Sequence, residues 1–216
     1  MVKSLFGRDV MRIITYVIIL LLTFTGCSSD TQNSVLNIDE PANITLTPVD
    51  LFKGEAKKFR PFVGTMSGAI KLRYDGNKPN AYLSADIWKE GKKVSSACNM
   101  GDIFSNIGKS SKYETEVIMS INKISTEDQE DLNEITISLY DDSGSSTITC
   151  KVPWDKTLTA HGHIAINEPV TFIAEDSVPI WGMKATSTNE MFSGDFSLQS
   201  LSRLEQAIIL TLYFDE

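Results

Sequence analysis

From residue 43 onward, apolar and polar positions alternate with a period of two, the repeat of a half-buried β-strand rather than of a helix. Ile44 and Leu46 alternate with Thr45 and Thr47; Ile70, Leu72 and Tyr74 alternate with Lys71 and Arg73. In the next run Leu83, Ala85 and Ile87 share one face, leaving Tyr82, Ser84, Asp86 and Trp88 on the other. Residues 89–92 (KEGK) then supply a turn, with 93–96 as the returning hairpin strand. The same alternation predicts strands at 116–123, 134–140, 146–152, 161–166, 170–175 and 178–186, with a second hairpin signal, DDSGS, at 141–145. Residues 207–214 (AIILTLYF) are apolar almost throughout, which predicts a central strand buried on both faces. Helical spacing is confined to residues 197–206, where Leu198, Leu201 and Leu204 recur at intervals of three. Many short strands and at most one short helix predict an all-β fold: an antiparallel β-sandwich, immunoglobulin-like or similar.

The N-terminal residues follow a different pattern. Residues 13–24 form an apolar run broken only by Thr15, Tyr16 and Thr23. As a helix the run would be roughly 18 Å long, short of the roughly 30 Å hydrocarbon core that a permanent span must cross. It therefore reads as the core of an export signal, with Arg12 before it and Phe24-Thr25-Gly26-Cys27 closing it. This stretch resembles the lipobox of bacterial lipoproteins, with Phe24 where Leu is usual. The resemblance implies that the peptide is cut before Cys27 and that the Cys27 thiol carries lipid. Residues 1–26 are then a lipoprotein signal peptide, 27–37 the lipidated cysteine and a flexible tether, and 38–216 a single β-sandwich domain. It further implies a bacterial cell-membrane location facing outside the cytoplasm. Translation can begin at Met1 or at Met11, since MRII is the more typical opening.

Charge narrows the partners. The full chain carries −8, and loss of the signal peptide removes Lys3, Arg8 and Arg12 against Asp9 alone, leaving −10. Nucleic acid is excluded as a partner, because its binding rests on neutralising phosphates. The same balance argues against a second, electrostatic grip on anionic lipid, so the membrane is expected to be a partner only through the lipid on Cys27. Besides Cys27 the chain has Cys98 and Cys150. In an exported protein this pair is a candidate disulfide, closing a loop worth roughly 4 kcal/mol. The reading favoured by the pattern is two buried thiols packed as small hydrophobes.

Candidate chemistry is sparse. His161 and His163, two apart on a strand, point to one face and are the weak candidates for a metal pair. Ile164 and Ile166 take the other parity and are expected to mark the core, which would turn both histidines to solvent. No third ligand can be named, and no cofactor is expected. Gly108-Lys109-Ser110 lacks the earlier glycine of a phosphate loop. Ser120 and Lys123 match Ser-x-x-Lys but lie on a strand, where residues three apart face opposite ways. Gly64 to Gly68 is one residue out of step with a nucleophile elbow, and the acidic residues 127–131 lack the spacing of a calcium loop. Tyr82 and Trp88, on the outer face beside a turn, are the candidates for ligand or partner contact by stacking. The expectation is a lipid-anchored envelope protein with a non-enzymatic binding or accessory role, its partner an envelope protein or cell-wall component. The alternative is an envelope hydrolase or metal-dependent enzyme using His161 and His163.

Overall fold

The structure is a computed structural model; it describes residues 42–76, 81–101, 103–104, 112–125, 131–174, 177–188, 190–191 and 193–214. Cys27 and the tether, Gly108–Ser110 of the phosphate-loop candidate and most of the acidic loop lie outside these residues. The compact unit spans Asp39–Glu216 and holds the whole hydrophobic core described below.

The strands in chain order are β1 (Asn43–Val49), β2 (Ser67–Asp75), β3 (Ala81–Lys89), β4 (Lys92–Met100), β5 (Lys112–Ser125), β6 (Asp131–Asp141), β7 (Gly144–Pro153), β8 (Ala160–Ala165), β9 (Val170–Ile173), β10 (Ser177–Thr186) and β11 (Gln206–Phe214). They form a six-stranded sheet, β7-β6-β5-β2-β1-β9, and a five-stranded sheet, β4-β3-β11-β10-β8. Every pairing is antiparallel. The two sheets pack face to face as a β-sandwich, as the alternation predicts.

The six-stranded sheet has one dry face. Ile44, Leu46, Ile70, Leu72, Val117, Met119, Ile135 and Ile137 enter the core. Its outer face is polar, with cross-strand pairs such as Ser138–Thr147 at 2.8 Å and Lys71–Glu114 at 2.9 Å. This is the usual arrangement of an antiparallel sheet with water on one side.

The five-stranded sheet is covered on both faces. Leu83, Ala85, Met183, Ile208, Leu210 and Leu212 point into the sandwich. A second cluster, Ile164, Leu201, Leu204, Ala207 and Ile209, lies on the other side of the sheet. The cover is the segment 193–205, whose only helical turn is Leu198–Leu201. Leu201 and Leu204 are buried while Leu198 is exposed. The predicted helix is thus one α-helical turn continued by a hydrogen-bonded turn, in which the Arg203 and Leu204 N–H groups donate to the Ser200 and Leu201 carbonyls. β11 is the middle strand of this sheet and nearly all of it is buried, as its apolar run predicts.

The hairpin β3–β4 closes on Glu90 (φ 48°) and Gly91 (φ 73°), the two positive φ values that a tight two-residue turn needs. Glu90 N–H donates to the Glu205 carbonyl and Gly91 N–H to the Leu204 carbonyl, each at 2.9 Å. The turn is thereby fastened to the covering segment.

Cys98 on β4 and Cys150 on β7 are joined as a disulfide, with Cα atoms 6.2 Å apart. The reading of two free thiols is corrected. The alternation places Cys150 inward as expected, but the register shift in the β3–β4 pairing between Ala85 and Asp86, which leaves Ala97 unpaired, changes the parity of β4 between Ser96 and Cys98. Val94 and Ser96 therefore face out while Cys98 and Met100 turn in.

Candidate functional site

Between β1 and β2 the chain leaves the sandwich in a projection, residues 51–63. Its base is an Asx turn in which Asp50 Oδ1 accepts from the Phe52 N–H at 3.0 Å. A 3-10 turn, Gly54–Phe59, runs directly into a single α-helical turn, Arg60–Val63. Pro61 fits the first turn of that helix, where its missing N–H costs nothing. Gly64 ends it at φ 88°, in a site where a Cβ would stand 2.5 Å from Asn122 Oδ1.

These two helical turns bury none of their residues. Phe59 is 53% exposed and Phe62 84% exposed. Around them stand Lys53, Lys57, Lys58 and Arg60, with Glu55 as the only acid of the stretch. The Lys58–Glu55 pair at 3.6 Å is fully solvated and contributes little. The cations lie alongside rings: Lys58 Nζ is 5.6 Å from the Phe59 centroid, and the Arg60 guanidinium is 4.8 Å from that of Phe52.

Behind the projection is an open cleft of about 360 Å³, lined in part by Asp50, Phe52, Arg60, Thr65, Ser67 and His163. His163 Nε2–H donates to the Thr65 carbonyl at 2.9 Å, and its ring lies 5.6 Å from that of Trp181. Ser67 donates to the Gly64 carbonyl at 2.9 Å, so its hydroxyl proton is committed to main chain. Asp50 is occupied by the backbone turn. The cleft therefore holds an acid, a base and a hydroxyl that are each engaged with main chain rather than with one another. Nucleophilic catalysis needs the last two paired.

Both histidines are exposed, but they stand on the face of β8 opposite to the one expected. His163 pairs with Met183 and His161 with Ala185, and both partners belong to the core between the sheets. Ile164 instead joins the cluster under residues 193–205. The parity argument failed because the five-stranded sheet has two apolar faces, so an isoleucine on β8 does not identify the inner one. His161 lies 6.1 Å from the Trp154 ring. Partial desolvation of the ring, with the Lys123 charge adding to it, holds its pKa below the ordinary value. Among the described residues no three His, Cys, Asp or Glu side chains gather at metal-binding distance.

The aromatic contact candidates are placed elsewhere. Tyr82 is half-buried and stacks on Tyr213 at 5.1 Å. Trp88 is half-buried against the cluster of Leu201, Leu204 and Ile209, with its Nε1 enclosed. Neither forms an open patch with the other, since the covering segment and Tyr213 occupy the face they share. Ser120 and Lys123 are also separated: Lys123 Nζ is paired with Asp131 Oδ2 at 2.7 Å. The sequence pattern does not single out Phe59 and Phe62, because residues 51–63 show neither the strand nor the helix period. The signal was there in KKFRPF, a basic and aromatic stretch in an acidic chain. No family model matches the chain, nor does any curated protein or solved structure.

Proposed function

We propose that this chain is a lipid-anchored protein of the bacterial cell envelope, held outside the cytoplasm by lipid on Cys27, and that its β-sandwich acts by contact rather than by catalysis. The observation that carries the contact reading is the projection, two helical turns that bury nothing and offer Phe59 and Phe62 to the surroundings. Exposing large aromatics on a small element has a cost in solubility that a binding surface explains. The engagement of His163 and Ser67 with backbone carbonyls supports the same reading.

The test is fractionation together with an activity screen. The full chain is expected in the membrane fraction, and Cys27→Ala is expected uncleaved or released in soluble form. Cleaved Cys27→Ala protein that still fractionates with membranes would remove the anchor. A hydrolytic activity of the purified chain abolished by His163→Ala would replace the contact reading with an enzymatic one.

A further inference from the structure

We infer that residues 51–63 are a membrane-docking element that seats the sandwich on an anionic phospholipid surface. The inference deepens the anchored-contact reading and rests on it for the presence of a bilayer nearby. Three observations carry it.

The first is chemistry. Lys53, Lys57, Lys58 and Arg60 against Glu55 alone make a cationic spot on a chain whose net charge is −8. Phe59 and Phe62 stand among these cations and are exposed. Cations at phosphate depth with apolar rings just below them is the composition of an interfacial anchor. The overall negative charge, which argues against an electrostatic grip when read as a sum, instead orients the domain: the rest of the surface is repelled by anionic lipid and this one element is drawn to it.

The second is independence from the fold. Because Gly54–Phe59 and Arg60–Val63 bury no residue, the element contributes nothing to the core and its side chains are free to change surroundings.

The third is reach. The chain from Cys27 to Ala42 can extend to about 50 Å, and β1 to about 23 Å. A lipid on Cys27 therefore lets the far end of β1, where the projection begins, touch the same bilayer. A bilayer is then the surface at the highest effective concentration, ahead of any acidic protein.

The experiment is co-sedimentation of the Asp39–Glu216 unit with vesicles of phosphatidylcholine alone or mixed with phosphatidylglycerol. Binding is expected to the mixed vesicles only and to weaken as salt rises. Lys57→Gln with Lys58→Gln should lower the partition coefficient about 25-fold, at about fivefold per lysine. Phe59→Ser with Phe62→Ser should lower it by at least about tenfold. Since no side chain of the projection is buried, all four substitutions should leave the melting temperature unchanged. Absence of binding, equal binding to neutral vesicles, or undiminished binding by the variants would overturn the proposal. So would capture by an acidic protein surface without any by vesicles. Cys27 is absent from this unit, so the assay stands or falls apart from the anchor, which the Cys27→Ala fractionation tests without touching residues 51–63.

Discussion

Cys98 and Cys150 lie on β4 and β7, the outermost strands of the two different sheets, and their bond ties one sheet to the other along a shared edge. At the opposite edge, β8 of the five-stranded sheet is followed in the chain by β9 of the six-stranded sheet, so a short connection serves the same purpose there. Opening the disulfide should lower stability by about 2–4 kcal/mol while leaving the strands paired, because the core between the sheets is unchanged. Urea unfolding with and without reductant measures this. Intact mass after alkylation without reductant should show no added group on the Asp39–Glu216 unit.

Asp86 is fully buried on the outer side of β3 and is held by side chains from both neighbouring strands, β4 and β11. Tyr213 donates to Oδ2 at 2.6 Å, while Ser96 (2.8 Å) and Lys93 (2.9 Å) reach Oδ1. Asp86→Ala should cost about 3 kcal/mol, near the lower end for breaking a buried pair, because the Lys93 side chain is 37% exposed and can recover water. Tyr213→Phe should cost about 1–2 kcal/mol. Burial opposes the Lys93 charge, but its bonds to Tyr213 and Asp86 outweigh this and raise its pKa. Its contribution is thus complete below the ordinary 10.5 and lost as pH rises through the higher folded value. Thermal melts between neutral and strongly alkaline pH should show the loss in the parent and not in Asp86→Ala.

Gly91 combines φ 73° with a backbone neighbour, Ser202 Cα, 2.6 Å from where a Cβ would be. Gly91→Ala should therefore destabilise by about 1–3 kcal/mol and loosen residues 202–205 from the hairpin. Hydrogen exchange at Leu204, set beside the melting temperature, would register both effects. A neutral outcome would mean that the covering segment yields freely.

That segment is also pinned by two carboxylates. The Ser197 and Ser200 side chains and the Ser197 N–H lower the pKa of Asp195 from 3.8 to about 2. Ser187 N–H, Ser187 Oγ and Thr186 Oγ1 lower that of Glu205 below 4.5. A depressed carboxylate stabilises above its unfolded value and loses that contribution as pH falls through the folded one. Protection of residues 198–204 from exchange should hold at neutral pH and fall between about pH 4 and pH 2. Asp195→Asn should lower the protection at neutral pH and flatten the acid dependence.

The period-two pattern determined the fold class, because a strand with one wet face writes its orientation directly into alternating residues. The hairpin at residues 89–92 and the central place of β11 were legible for the same reason: a glycine-bearing turn and an unbroken apolar run are local properties. What only the tertiary structure decided depends on which surfaces meet. Ile164 could not reveal that it faces outward, since the outer cluster exists only once Leu201 and Leu204 fold back over the sheet. Val94 and Cys98 could not reveal their opposite faces, because the register shift in β4 is set by pairing with β3. The partnership of Cys98 with Cys150 depends on two sheet edges coming together. The exposure of Phe59 and Phe62 is likewise tertiary: an aromatic side chain is apolar in any sequence, and only the packing of everything else shows that no core was left to receive it.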